Sequence, residues 1–133
     1  MAGSAMSFFY DNDDTIKTLT AEWTSDDATG SVSGETEHDI SGFLLSGLTN
    51  PGSPAPTDDY DITISDEDSY NVLTNCEDDL TDRDTSNTEL VEFLLKDSAG
   101  DTAGGHPSVN GKLTIAVSNA GNSKQGTLKI KYI

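Results

Sequence analysis

Positive charge is scarce in this chain of 133 residues: seven Lys and Arg stand against 24 Asp and Glu, for a net charge of −17. Nucleic-acid binders need a basic footprint to neutralise phosphates, so no nucleic-acid partner is expected. An anionic membrane surface repels such a chain for the same reason. Apolar residues are also sparse, at 33%, and no apolar run approaches the length that spans a bilayer. Met1-Ala2-Gly3-Ser4-Ala5-Met6 has neither a basic region nor an apolar stretch, so no secretory leader is expected. Cys76 is the one cysteine, which excludes a disulfide within the chain. Its neighbours Glu77, Asp78 and Asp79 oppose a thiolate, so it reads as a structural thiol rather than a nucleophile.

Catalytic signatures are missing too. Neither a Gly-x-Ser-x-Gly elbow nor a phosphate loop is present, and the two histidines, His38 and His106, lack zinc-ligand spacing. Asp11-Asn12-Asp13-Asp14 begins like a calcium loop and Glu22 stands at its twelfth position. The sixth position, which needs glycine, is Ile16. The acids at 66–68 and 77–84 read as solvated loops. No catalytic, metal or cofactor residue is therefore assigned, and the chain is not expected to be an enzyme.

What is present is period-2 alternation. Leu19, Ala21 and Trp23 share one face of a strand over 15–23, and Tyr60, Ile62 and Ile64 alternate with Asp61 and Thr63. Shorter strands are expected at 31–35, 40–48 and 71–74. Residues 89–96 read as a strand buried on both faces, with a two-turn helix as the alternative. Asp26-Asp27 with Gly30, the Pro-rich stretch 50–56, the acidic stretch 75–87 and the Gly-rich stretch 98–110 read as turns and loops. Leu113, Ile115 and Val117, then Leu128, Ile130 and Tyr132, form an expected C-terminal hairpin with Lys129 and Lys131 outside. The pattern predicts an all-β fold: an antiparallel β-sandwich or barrel-like domain over 11–133, with a flexible N-terminal arm over 1–10. Phe8-Phe9-Tyr10 is an isolated aromatic cluster on that arm. It is the candidate partner-binding site, with core packing as its other reading. Four of the seven basic residues, Lys112, Lys124, Lys129 and Lys131, lie in the last strand pair and its turn, a charge asymmetry compatible with contacts between copies.

The C-terminal half resembles small virion structural proteins of tailed bacteriophages. The resemblance rests on Asp59-Tyr60-Asp61-Ile62-Thr63-Ile64-Ser65-Asp66-Glu67-Asp68, Val72-Leu73, Thr85-Ser86-Asn87-Thr88-Glu89 and, best of all, Gly111-Lys112-Leu113-Thr114-Ile115-Ala116-Val117-Ser118-Asn119-Ala120-Gly121-Asn122-Ser123-Lys124 with Gly126. It implies a place on the phage particle after synthesis in the host cytoplasm. Small size, the lack of catalytic groups and the expected arm make a capsid decoration or cement protein the leading reading, one that binds the major capsid protein or other virion proteins as a homo-oligomer such as a trimer. A neck or tail component is the alternative within structure. A carbohydrate-binding module, with Trp23, Tyr60 and Tyr70 as stacking residues, is the alternative from another class.

Overall fold

A computed structural model describes residues 4–26 and 28–133; Met1, Ala2, Gly3 and Asp27 lie outside the described residues. The strands are β1 (Ala5–Asp11), β2 (Lys17–Thr24), β3 (Val32–Glu35), β4 (Ile40–Pro51), β5 (Asp61–Ser65), β6 (Glu89–Glu92), β7 (Ser108–Gly111), β8 (Thr114–Ser118) and β9 (Gln125–Tyr132). All pairings are antiparallel and no helix occurs among the described residues. The larger sheet runs β1-β2-β9-β4-β6, with β7 paired to the start of β4; the smaller runs β3-β8-β5. The fold is an antiparallel β-sandwich, as the alternation predicts. Leu19, Leu44, Leu128 and Ile130 from the large sheet meet Ile62, Ile64, Ile115 and Val117 from the small one, all essentially without solvent exposure.

Several local expectations change. The stretch expected to be an arm is, from Ala5 on, strand β1, paired residue by residue with β2 from Ala5 opposite Thr24 to Asp11 opposite Thr18. Its alternation is carried by Met6, Phe8 and Tyr10, which pack against the core from a half-buried position. The expected C-terminal hairpin does not pair with itself. β8 lies between β3 and β5 in the small sheet, while β9 lies between β2 and β4 in the large one. Both strands present apolar residues to one core, and they do so from opposite sides of it. The link must then cross the roughly 10 Å between packed sheets. Asn119, Gly121 and Ser123 adopt positive φ there, and Ala120 is buried.

Asn71 makes only an isolated bridge to Ser65. Its side chain accepts the Leu73 N–H at 3.0 Å and its carbonyl accepts the Thr74 hydroxyl at 2.6 Å, which turns the chain where a strand over 71–74 is expected. In 89–96 only four residues join a sheet. Val91 and Phe93 face inward, but Leu90 is 65% exposed, so the stretch is buried on one face only. The loop over 98–110 ends in β7. β4 continues through Asn50 into Pro51, past the expected start of the Pro-rich break. The Gly52 N–H bonds Gln125 O of β9 at 2.9 Å, so the imide nitrogen of Pro51 faces the other side, where β6 pairing has already ended at Thr49.

Candidate interaction surface

The outer face of the large sheet follows from its registers. Phe9 lies opposite Thr20, Thr20 opposite Lys129, Lys129 opposite Leu48 and Leu48 opposite Leu90. One residue from each of five strands therefore forms a row across the sheet. Phe9 is 53% exposed, Leu90 is 65% exposed and Leu48 is half-buried. The next row is Asp11, Thr18, Lys131, Ser46 and Glu92; the row on the other side holds Ser7, Glu22, Thr127 and Asn50. These three rows carry three acids (Asp11, Glu22, Glu92) against two lysines (Lys129, Lys131). The face is close to neutral on a molecule of net charge −17, and its middle row has no acid.

The sheet divides the Phe8-Phe9-Tyr10 cluster between two roles. Phe9 alone points outward. Phe8 turns inward beside Met6 and Gly34, where a Cβ on Gly34 would stand 3.1 Å from the Phe8 ring. Tyr10 is held by its hydroxyl, which accepts the Glu37 N–H at 2.8 Å, and by an edge contact with the His38 ring at 4.7 Å between centroids. The other two apolar members of the row, Leu48 and Leu90, carry no sequence signal of exposure. An apolar residue in an alternating strand reads as core until its register is known.

The acids gather elsewhere. Eleven of the 24 lie between Asp58 and Asp84. Residues 71–83 run along β5 and cover its free edge: Val72 N–H bonds Ile64 O, Ile62 N–H bonds Leu80 O and Arg83 N–H bonds Tyr60 O. Arg83, buried with 6% exposure, fastens this segment. Its guanidinium donates to Asp78 at 3.0 Å and to the Thr81 carbonyl at 2.8 Å, and lies 3.7 Å from Glu89. Asp58, followed by burial and then Asp82, Asp61 and Asp84, holds the Asp59 carboxyl above its ordinary value. This marks a crowded negative edge.

Among the described residues, no group of three or more His, Cys, Asp or Glu side chains is placed to hold a metal ion. Cys76 is buried, and burial, with Asp79 second, pushes its thiol up, away from nucleophilic character. The Nδ1 of His106 sits 2.8 Å from the Phe93 carbonyl, a structural contact. A shallow recess of about 360 Å³ opens beside Ser7, Glu22, Trp23, Gly52, Gln125 and Gly126. Of the three residues a sugar could stack on, Trp23 and Tyr60 are buried at 3% and 0% exposure, and Tyr70 stands alone at 49%. No family model and no curated protein matches this chain.

Proposed function

We propose that this protein is a structural component of a tailed-bacteriophage particle, a decoration or cement protein that attaches to the assembled head and stabilises it. The observation that carries the reading is the acid-free row Phe9–Thr20–Lys129–Leu48–Leu90 across five paired strands, on a chain whose acids gather at 58–84. A face built on paired strands, with apolar side chains and two lysines, suits docking onto another protein surface, since little has to be ordered on binding. The acidic remainder opposes non-specific aggregation before assembly. The bacteriophage context comes from the resemblance in the C-terminal half. Of the stacking residues the carbohydrate-binding reading would use, Tyr70 alone is exposed.

The test is to mix purified protein with undecorated heads, count bound copies, and measure the heat the heads withstand. A decoration protein binds in a fixed ratio to the shell subunits, set by lattice symmetry, and raises the temperature of disruption. Binding of about a dozen copies at a single vertex would identify a neck component instead. Absence of binding to heads and tails alike would refute the reading.

A further inference from the structure

Sheet edges are the places where one chain can add strands to another, and most proteins cover, shorten or charge them. Here the β5 edge is covered by residues 71–83. β3 and β6 are four residues long and carry Glu35, or Glu89 and Glu92. β1 is different. It has seven residues, Ala-Met-Ser-Phe-Phe-Tyr-Asp, with no proline, glycine or lysine and one charge at its last position. β2 pairs with one side of it, and nothing pairs with the other among the described residues.

Ser25 N–H bonds Lys124 O, continuing the β2–β9 register, so the odd-numbered residues of β2 bond to β9 and the even-numbered ones to β1. The β1 partners of Thr24, Glu22, Thr20 and Thr18 are Ala5, Ser7, Phe9 and Asp11. The N–H and C=O groups of Met6, Phe8 and Tyr10 therefore point to the open side.

We propose that two copies of this chain pair antiparallel through β1, about a two-fold axis at Phe8. In that register Phe8 faces the partner's Phe8, and Met6 and Tyr10 face the partner's Tyr10 and Met6. Each such pair exchanges two bonds, so the junction holds about six. Phe9 then lies beside the partner's Ser7 on the outer face, which covers the exposed ring and joins the two large sheets into one. The register is self-complementary about the two-fold axis, and this edge is where two like-charged copies meet with least repulsion. The stretch from Ala5 to Tyr10 is uncharged, and β1 packs beside β3, whereas the acids at 58–84 line β5 at the far edge of the small sheet. Edge-to-edge pairing keeps the two acidic sides at opposite ends of the dimer. Because both copies carry −17, added salt strengthens this association, the reverse of its effect on attachment through opposite charges.

The test uses the full chain free in solution, so its result is independent of attachment to any shell. Sedimentation should give twice the 14.1 kDa chain mass, with the dimer fraction rising in salt. Amide exchange should follow the strand phase: Ser7 and Phe9 protected at every concentration, Met6, Phe8 and Tyr10 protected only where the dimer forms. Met6→Pro removes one outward N–H without touching the bonds to β2, and should weaken the dimer at least tenfold while circular dichroism stays that of the parent. If that variant fails to fold, the alternating exchange pattern decides alone. A chain that stays monomeric at high concentration and high salt overturns the proposal. So does a dimer in which Met6, Phe8 and Tyr10 exchange freely.

Discussion

Trp23 of β2 and Gly126 of β9 are cross-strand partners, and the indole occupies the space over Gly126 where a side chain would otherwise stand. A Cβ on Gly126 would overlap the six-membered part of the ring, which is itself buried and tilted against Tyr60 at 5.7 Å between centroids. Gly126→Ala should therefore cost on the order of 1–3 kcal/mol through overpacking. The restriction an added Cβ places on the unfolded chain offsets at most about 1 kcal/mol of that. Urea unfolding measures the loss; an alanine variant as stable as the parent would mean the indole can move aside.

The register of β9 gives a paired prediction. Ile130 is fully buried and its neighbour Lys129 is exposed on the outer face. Ile130→Ala should cost on the order of 2–5 kcal/mol. Lys129→Ala should change stability by less than about 0.5 kcal/mol. Equal effects in denaturant titrations would place the strand one residue out of phase.

This alternation was fully legible in the sequence, because a period of two assigns faces without reference to any partner. What alternation cannot assign is the neighbour. Leu113 to Tyr132 has the pattern of a hairpin, yet its halves belong to different sheets, since two strands facing one core look the same whether they pair or oppose each other. The same ambiguity hid Leu48 and Leu90, whose outward direction depends on how β4 pairs with β9 and β6. Phe9 was legible as a candidate, but its separation from Phe8 and Tyr10 required β1 to be a strand. Arg83 gave no signal beyond being a lone cation among acids.

Arg83 braces the acidic segment internally through Asp78 and the Thr81 carbonyl and reaches Glu89 of β6. Its guanidinium is buried while both carboxylates reach solvent, so the pairs are partly screened. Arg83→Met should cost on the order of 1–3 kcal/mol, the scale of hydrogen bonds to a charged group. Amide exchange should quicken first at Ile62 and Val72, whose N–H groups face this segment or belong to it. Loss spread evenly over the whole sandwich would deny Arg83 a local fastening role.

Asp26 sets a pH window. The Thr29 N–H at 2.6 Å, then the Thr29 hydroxyl, outweigh the effect of burial and, with the N–H groups of Gly30 and Ala28, bring its carboxyl from 3.8 to about 2. A folded value below the unfolded one means stability that is present above about pH 4 and lost as pH falls through about 2. Asp26→Asn should be less stable than the parent at pH 7, and the gap should close between pH 4 and 2. A carboxyl-carbon titration with an ordinary midpoint would show the turn to be open in solution.

The outer face makes the last prediction, tested on variants placed away from β1 so that pairing between copies is untouched. Leu90 is exposed on the opposite edge strand and Lys129 lies on the central one. Neither side chain packs in the core, so Leu90→Ser and Lys129→Glu should leave folding within about 0.5 kcal/mol of the parent. If the face docks onto a phage head, Leu90→Ser removes apolar area that binding would bury, and Lys129→Glu puts a like charge where a complementary one stood. Each should weaken attachment roughly tenfold or more, about 1.4 kcal/mol. The two should differ in salt: the Lys129→Glu defect should shrink as ionic strength rises, because an exposed charge acts through the screened field, whereas the Leu90→Ser defect should persist. Counting bound copies on undecorated heads at low and high salt separates these effects. Parent-like attachment by both variants, with folding intact, would show that the head is met by some other surface.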